Sequence, residues 1–431
     1  FLTTTGAVTD TRKIEKDTMF FALRGENFNG NEFAEEAIEK GAKFAIVDDR
    51  KYKTSDRIIT VNNCLLSLQE LAKFHRKYIN PTIIALTGSN GKTTTKELIN
   101  AVLSKKYRTV ATKGNLNNHI GVPLTLLNLH SDHEIAVVEL GTNHPGEIEV
   151  LCEIAQPNAG IITSIGSSHL EHFGTQEAVF QEKRSLFDYV RKKSGRDSVF
   201  VLPSDDFFLK RLIDESVVSF GLKDSHARLE IEADTAKVWL ENDSAPTLLK
   251  NNNILGGHNF SNLAGSFLMA SHLFPGNNDS LREAAETYKP LHNRGAWVKK
   301  SDKHYFLDAY NANPSSMIKS LEGFIGFCHQ KRISFDDCLF VLGDMNELGS
   351  DSEAYHEEVG RFMLDKKITE TLFVGKYAPA YQTGFLKQSP MFQSVEDLRP
   401  FWREKQEKFK YFFIKASRSL QLESLMDITF D

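Results

Sequence analysis

Apolar residues along the chain fall into short β-branched runs separated by stretches with helical spacing. Thr18–Leu23, Phe44–Val47 and Arg57–Val61 read as strands, and Glu32–Lys40 as an amphipathic helix closed by Gly41. A second helix runs from Leu65 to about Tyr78 and stops at Asn80-Pro81, since the residue before a proline is pushed out of the helical region. Thr82–Thr87 has the apolar run of a buried strand, a glycine-rich turn follows, and Glu97–Leu103 returns to helical spacing. Ile135–Leu140 and Ala159–Ile165 are further buried strands. Beyond residue 296, strands are expected at His304–Asp308, Cys338–Leu342, Thr371–Val374 and Tyr411–Ile414. Helices are expected over Ser315–His329, Glu353–Asp365 and Val395 to about Lys405, the last despite Pro400, which disfavours a helix interior.

Strands that alternate with helices predict an α/β fold on mostly parallel sheets. A chain of 431 residues exceeds one ordinary core, and its length suggests about three domains. The pattern divides into a small α/β domain over 1–80, a central parallel-sheet domain over 81–295 and a doubly wound, Rossmann-like domain over 296–431. In sheets of this kind, sites lie at the carboxyl ends of the strands.

Composition narrows the functional classes. Apolar content of 41% and charged content of 25% are those of a soluble globular protein. A net charge of −5 over this length predicts no preference for a polyanion, so no nucleic-acid partner is expected and any nucleotide must be held by a local site. Cys64, Cys152, Cys328 and Cys338 lack metal-ligand spacing, which argues against structural zinc, and scattered thiols suit a reducing cytosol. Neither a signal peptide nor a membrane-spanning run is expected.

The candidate chemistry starts at Thr87-Gly-Ser-Asn-Gly-Lys-Thr-Thr-Thr95. Strand, glycine turn, Lys-Thr and helix form the layout that binds nucleotide phosphates, although Gly88 lies only three residues before Gly91, a shorter loop than the general P-loop. Lys92 would neutralise the β- and γ-phosphates, and the Thr93 hydroxyl would reach Mg²⁺. Glu139, at the carboxyl end of its strand, is placed as a Mg²⁺ ligand. His169 and His172 lie in a glycine-bounded loop where a site is expected. Lys113–Pro123 and Gly256–Asn262 are dense in Asn and Gly, which suits hydrogen bonding to a base or phosphate and equally suits plain turns. In the last domain the strand ends carry Asp308–Pro314, Gly343–Gly349 and Lys415–Arg418.

Taken together these blocks resemble the Mur ligases, ATP-dependent ligases of bacterial cell-wall peptide synthesis. The resemblance is carried by Thr87–Thr94, Gly114–Pro123, Glu139–Glu147, Ser167–Gly174, His258–Asn262, Asp308–Pro314 and Leu342–Gly349, and the short phosphate loop is the form this family uses. Tyr-Asn-Ala-Asn-Pro314 and Gly-Asp-Met-Asn-Glu-Leu-Gly349 are most similar to the members that add a dipeptide. The chain departs from the family pattern at Thr11, Asn29-Gly-Asn31, Leu140, Leu307 and Ala416.

The resemblance implies an enzyme joining D-alanyl-D-alanine to UDP-N-acetylmuramoyl-tripeptide through an acyl phosphate, with ATP and Mg²⁺, acting as a cytoplasmic monomer. The first domain would hold the UDP-sugar through Thr11, Arg12, Arg24 and Gly25. ATP would be held by Gly88, Ser89, Asn90, Gly91, Lys92, Thr93, Thr94 and Asn115, with His258 and Asn262 at the adenine or ribose and Arg294 and Asp308 at the phosphates and ribose. Asn311 and Asn313 would contact substrate, and Lys92, His169, Lys183 and Arg294 would be catalytic. Thr93, Glu139, His169 and Lys183 would serve the metal ions, the last as a lysine carbamylated by CO₂; without the family, Lys183 reads as a solvated helical lysine. Two alternatives stay open: a neighbouring carboxylate–amine ligase, such as another Mur ligase or a folylpolyglutamate synthetase, and a binding or scaffold protein that holds ATP and transfers nothing.

Overall fold

A computed structural model describes residues 1–426 except 224, 233, 241–242, 277 and 291–292, so the last residues of the 296–431 segment lie outside the described residues. The chain forms two compact units, one of 1–87, 106–160 and 185–198, the other of 88–105, 161–184 and 199–431.

In the first unit, strands Ala7–Val8, Met19–Phe21, Phe44–Val47 and Ile58–Thr60 form a parallel sheet. The expected helix at 32–40 is shorter, with a 3₁₀ turn over Gly30–Phe33 and an α-helix only over Ala34–Glu39. Asn29 caps that turn by accepting from the Asn31 amide, so the chain enters the helix late. Helix Cys64–Ile79 ends as expected, with Asn80 left-handed at its C-cap. Strand Thr82–Thr87 pairs in parallel with Ile135–Glu139, which pairs in turn with Thr109–Ala111, a strand the apolar pattern did not predict. All five residues of Ile135–Glu139 are buried, which is why the run reads as continuously apolar.

In the second unit, helix Lys92–Leu103 begins five residues before the expected Glu97, because Lys92 and the threonines after it are already helical. Strands Phe200–Pro203, Val218–Gly221 and Ala227–Glu232 are parallel neighbours, but Ala227–Glu232, Thr235–Trp239 and Thr247–Lys250 continue as an antiparallel meander. That corrects the expectation of simple strand–helix alternation here, since among the described residues no helix lies between the strands of the meander. Strand Ala159–Ile162 stops short of Ile165, and Gly256–Asn262, weighed as a possible turn, is the start of helix Gly257–Leu273.

The remaining sheet of this unit has six strands, in the order Ala296–Lys300, Lys303–Asp308, Tyr411–Lys415, Cys338–Gly343, Thr371–Val374 and Met391–Phe392. All its pairings are parallel except the first, an antiparallel edge strand that the sequence pattern missed. One face is covered by helices Pro314–Lys331, Ser352–Asp365 and Ala378–Phe385, around Phe324, Phe340 and Tyr381. The other is covered by helix Val395–Lys405, with Leu398 and Trp402 inward. Pro400 lies inside that helix, as expected.

Candidate active site

The phosphate loop is built on two glycines that no other residue could replace without strain. Gly88 has φ +152° and a Cβ there would collide with Thr163 Oγ1; Gly91 has φ +82° and a Cβ would lie 2.8 Å from the Asn262 amide. Between them the loop is laced to the segment after strand Ala159–Ile162. The Ser89 amide donates to Ser164 O (2.8 Å), Ser89 Oγ donates to Gly166 O (3.1 Å) and accepts from the Gly166 amide (2.9 Å), and Thr163 Oγ1 donates to Asn90 O (2.5 Å). Helix Lys92–Leu103 starts at Gly91 with no side-chain cap, which leaves its positive end to an anion. Lys92 Nζ folds back to donate to Gly88 O at 2.6 Å, holding its charge at the loop's mouth, and Thr93 is buried.

Asn90 makes a further set of contacts that the sequence did not reveal. Its amide nitrogen donates to Ser315 Oγ (2.8 Å), its amide oxygen accepts from Asn313 Nδ2 (2.7 Å), and Ser315 Oγ donates to Asn313 Oδ1 (3.0 Å). Asn313 is also the N-cap of helix Pro314–Lys331, accepting from the Ser316 amide in a reciprocal capping box. Asn313 therefore grips the phosphate loop, while Asn311 is exposed and offers its carbonyl to Lys415 (3.1 Å). Ser315 was missed; its only sequence signal was its place just after the Asn-Pro that starts a helix.

Lys183 overturns its bland reading. It lies on helix Gln176–Ser194 and is 1% exposed, not solvated. Burial, and then the charge of Lys92, push its ammonium well below the usual lysine range, with Glu182 pulling the other way. An amine so placed is deprotonated far more readily than a surface lysine, the state in which it can add CO₂.

His169 is left-handed (φ +54°) at the start of the short helix Leu170–Phe173, and its Nδ1 lies 2.7 Å from Glu347 Oε2. That contact holds the Glu347 carboxyl below its ordinary range, against the opposing effect of burial. At the strand ends of the six-stranded sheet, Lys415 Nζ donates to Asp308 Oδ2 (2.6 Å), as does Ser320 Oγ (2.9 Å). His258, at the start of its helix, is half-buried; burial lowers its imidazole to about 4 against the pull of Asp308. Arg294 stacks on the Tyr310 ring at 3.6 Å, and Asn262 abuts Gly91.

In the first unit, Glu139 is 1% exposed, its amide donates to Thr112 Oγ1 (3.0 Å) and its Oε1 accepts from Asn117 Nδ2 (2.7 Å). The asparagine that orients this carboxylate is thus Asn117, while Asn115 is exposed. Arg12 is exposed and forks onto Asp10 (2.8 Å); Arg24 pairs with Asp48 (2.7 Å). Asp48 also accepts from Asn31 Nδ2 (2.9 Å), so the departure at Asn31 has a structural partner. Thr11 begins a 3₁₀ turn capped by Asp10, and Gly25 is exposed on the hairpin strand Arg24–Gly25.

Among the described residues no three His, Cys, Asp or Glu side chains gather as a metal cluster. Mg²⁺ does not require one, since it keeps several waters and takes one or two hard oxygen donors besides substrate phosphates. Thr93 and Glu139 are donors of that kind; the Lys183 amine is not, and would suit the ion only as a carbamate.

Sequence profiles of known families match in three places: "Mur ligase family, catalytic domain" over 3–80, "Mur ligase middle domain" over 86–270, and "Mur ligase, glutamate ligase domain" over 293–395. The UDP-N-acetylmuramoyl-tripeptide–D-alanyl-D-alanine ligase of Bacillus subtilis is 32% identical, the match covering 98% of this chain and 92% of the relative. The Escherichia coli ligase of the same name is 30% identical over 89% of this chain and 84% of its own length. Among solved structures, MurF of Acinetobacter baumannii superposes with a TM-score of 0.84 at 29% identity, covering 98% of this chain and 92% of that one. The MurF ligase of Thermotoga maritima in complex with ADP does so with 0.84 at 26% identity, covering 99% and 97%.

Proposed function

The chain belongs to the Mur ligase family, and on that premise we propose that it joins D-alanyl-D-alanine to UDP-N-acetylmuramoyl-tripeptide at the expense of ATP, in the synthesis of peptidoglycan precursors. The observation that carries the reading is the phosphate loop, shaped by Gly88 and Gly91 and backed by a helix N-terminus with Lys92 at its mouth. A loop so built suits the polyphosphate that an ATP-dependent ligase must grip. ADP is the nucleotide bound to the relative from Thermotoga maritima.

A carboxylate is a poor acyl donor, so the tripeptide's terminal carboxylate attacks the γ-phosphorus of ATP, giving an acyl phosphate and ADP. The free amine of the dipeptide then attacks the activated carbonyl, the amine proton is lost, and inorganic phosphate leaves from the tetrahedral intermediate. Lys92 and the helix amides neutralise the transferring phosphoryl group, and Ser89 and Asn90 hold the loop that aims it. Arg294 and Asp308 orient the nucleotide's phosphates and ribose, and His258 and Asn262 its base or ribose. Thr93, Glu139 and His169 would hold Mg²⁺, joined by Lys183 as its carbamate, and the bound ion would spread the phosphate charge. Thr11, Arg12, Arg24 and Gly25 take the UDP-sugar, and segments 1–80, 81–295 and 296–431 serve UDP-sugar, ATP and dipeptide in turn. The enzyme works as a cytoplasmic monomer; no helix among the described residues is long and apolar enough to cross a membrane.

The test is a substrate matrix: purified protein, ATP and Mg²⁺, with UDP-tripeptides carrying lysine or diaminopimelate, and a panel of dipeptides and of glutamate acceptors. Phosphate release that needs both a UDP-tripeptide and D-alanyl-D-alanine is expected. Release supported by a folate and glutamate, or by no acceptor, would replace this reading with one of its alternatives.

A further inference from the structure

His169 and Glu347 are both non-glycine residues held in the left-handed region, at φ +54° and +63°, and their side chains meet at 2.7 Å. Left-handed backbone in such residues is disfavoured, and it persists where surrounding contacts over-determine it. Those contacts are present in the three residues before Glu347. The Asp344 carboxylate accepts from the backbone amides of Lys376 and Tyr377, both at 2.9 Å. The Met345 amide donates to Nε2 of the fully buried His356 (3.0 Å), and the Asn346 amide donates to Ser417 Oγ (2.9 Å). His356 is itself fixed, with Nδ1 against Ser352 O at 2.6 Å and its ring stacked on Tyr377. The backbone that carries Glu347 is thus pinned on three sides, although the Glu347 side chain is 58% exposed.

The carboxylate at this position is directed at His169, which follows the segment laced to the phosphate loop. A carboxylate that accepts from Nδ1–H settles which imidazole nitrogen keeps its lone pair, and it limits rotation of the ring. We infer that Glu347 is a positioning residue for the ligation reaction: it holds His169 in the Nδ1–H tautomer, so that the Nε2 lone pair is the one offered to a metal ion. Glu347 also lines a cavity of about 870 Å³, bounded by Leu170, Glu171 and Gly174 on one side and by the segment from Met345 to Ser352 on the other. One residue therefore belongs both to that cavity and to the histidine's support.

The inference rests on the role proposed for His169, and the experiment separates the two. Protein labelled with ¹⁵N-histidine, free of metal and nucleotide, is examined by NMR as wild type, Glu347→Ala and Glu347→Gln, with His169→Ala used to assign the signal. The Nδ1–H pattern is expected in the wild type, conversion to Nε2–H or a mixture in Glu347→Ala, and partial retention in Glu347→Gln, whose amide oxygen still accepts. Turnover of Glu347→Ala should fall about 10–100-fold with KM for ATP unchanged. An unchanged tautomer, or turnover within about twofold of wild type, overturns the inference alone if His169→Ala is inactive. Full turnover in His169→Ala would remove the reading beneath it and the inference together.

Discussion

The phosphate loop of the second unit and the polar loops of the first unit look alike in sequence, both being short runs of Gly, Asn and a cation, but they are built differently. At Gly91 a Cβ would meet the Asn262 amide at 2.8 Å, on a backbone with φ +82°; at Gly25 the nearest atom would be Phe28 Cβ, at an ordinary 3.9 Å. Lys92 is turned onto its own loop carbonyl, whereas Arg12 and Arg24 are neutralised by neighbouring carboxylates, Asp10 and Asp48. The first loop has its geometry fixed before any ligand arrives, which phosphoryl transfer needs. The others hold exposed cations in weak, exchangeable pairs, which suffices to bind a substrate that undergoes no chemistry at that end.

The contrast predicts a graded set of outcomes. Gly91→Ala should cut turnover on the order of 10²–10³-fold, with loss of nucleotide binding by calorimetry, whereas Gly25→Ala should change either little. Comparable losses in the two variants would erase the distinction. Lys183→Ala should cost on the order of 10²-fold in turnover and recover partly with added short carboxylates. Intact-mass measurement should find a CO₂ adduct on the wild type, and its absence together with failed rescue would make Lys183 a structural amine.

A smaller effect is expected from His258. Its folded-state pKa, about 4, lies below the ordinary 6.5, so the unfolded chain binds the extra proton first. This group's contribution is fully present above about pH 6.5 and is lost as pH falls towards 4. Denaturant titrations of His258→Asn should therefore show a flatter acid limb in that window than the wild type. The smallest effect belongs to Arg12→Ala: its exposed pair with Asp10 should leave the melting temperature unchanged, while KM for the UDP-sugar substrate rises.

Most strands were legible because burial on both faces leaves a continuous apolar run, as at Thr82–Thr87, Ile135–Glu139 and Thr371–Val374. Edge strands were not: Ala296–Lys300 is half polar, and Ala227–Glu232 and Thr235–Trp239 alternate polar with apolar residues, so neither offers the continuous apolar run that marked the other strands. The phosphate loop could be read because its chemistry is local in sequence. The exposure of Lys183 could not, since burial of one helical lysine is decided by what packs on the helix and leaves no local trace. Asn90 with Ser315, and His169 with Glu347, are pairs more than a hundred residues apart, and nothing in either segment names its partner.

Asn313 performs two duties with the two ends of one side-chain amide: its oxygen starts helix Pro314–Lys331 and its nitrogen reaches Asn90. Aspartate there would still begin the helix but would fall silent towards the loop, and alanine would surrender both. The tolerance of this position to change is thus narrower than either duty alone would demand.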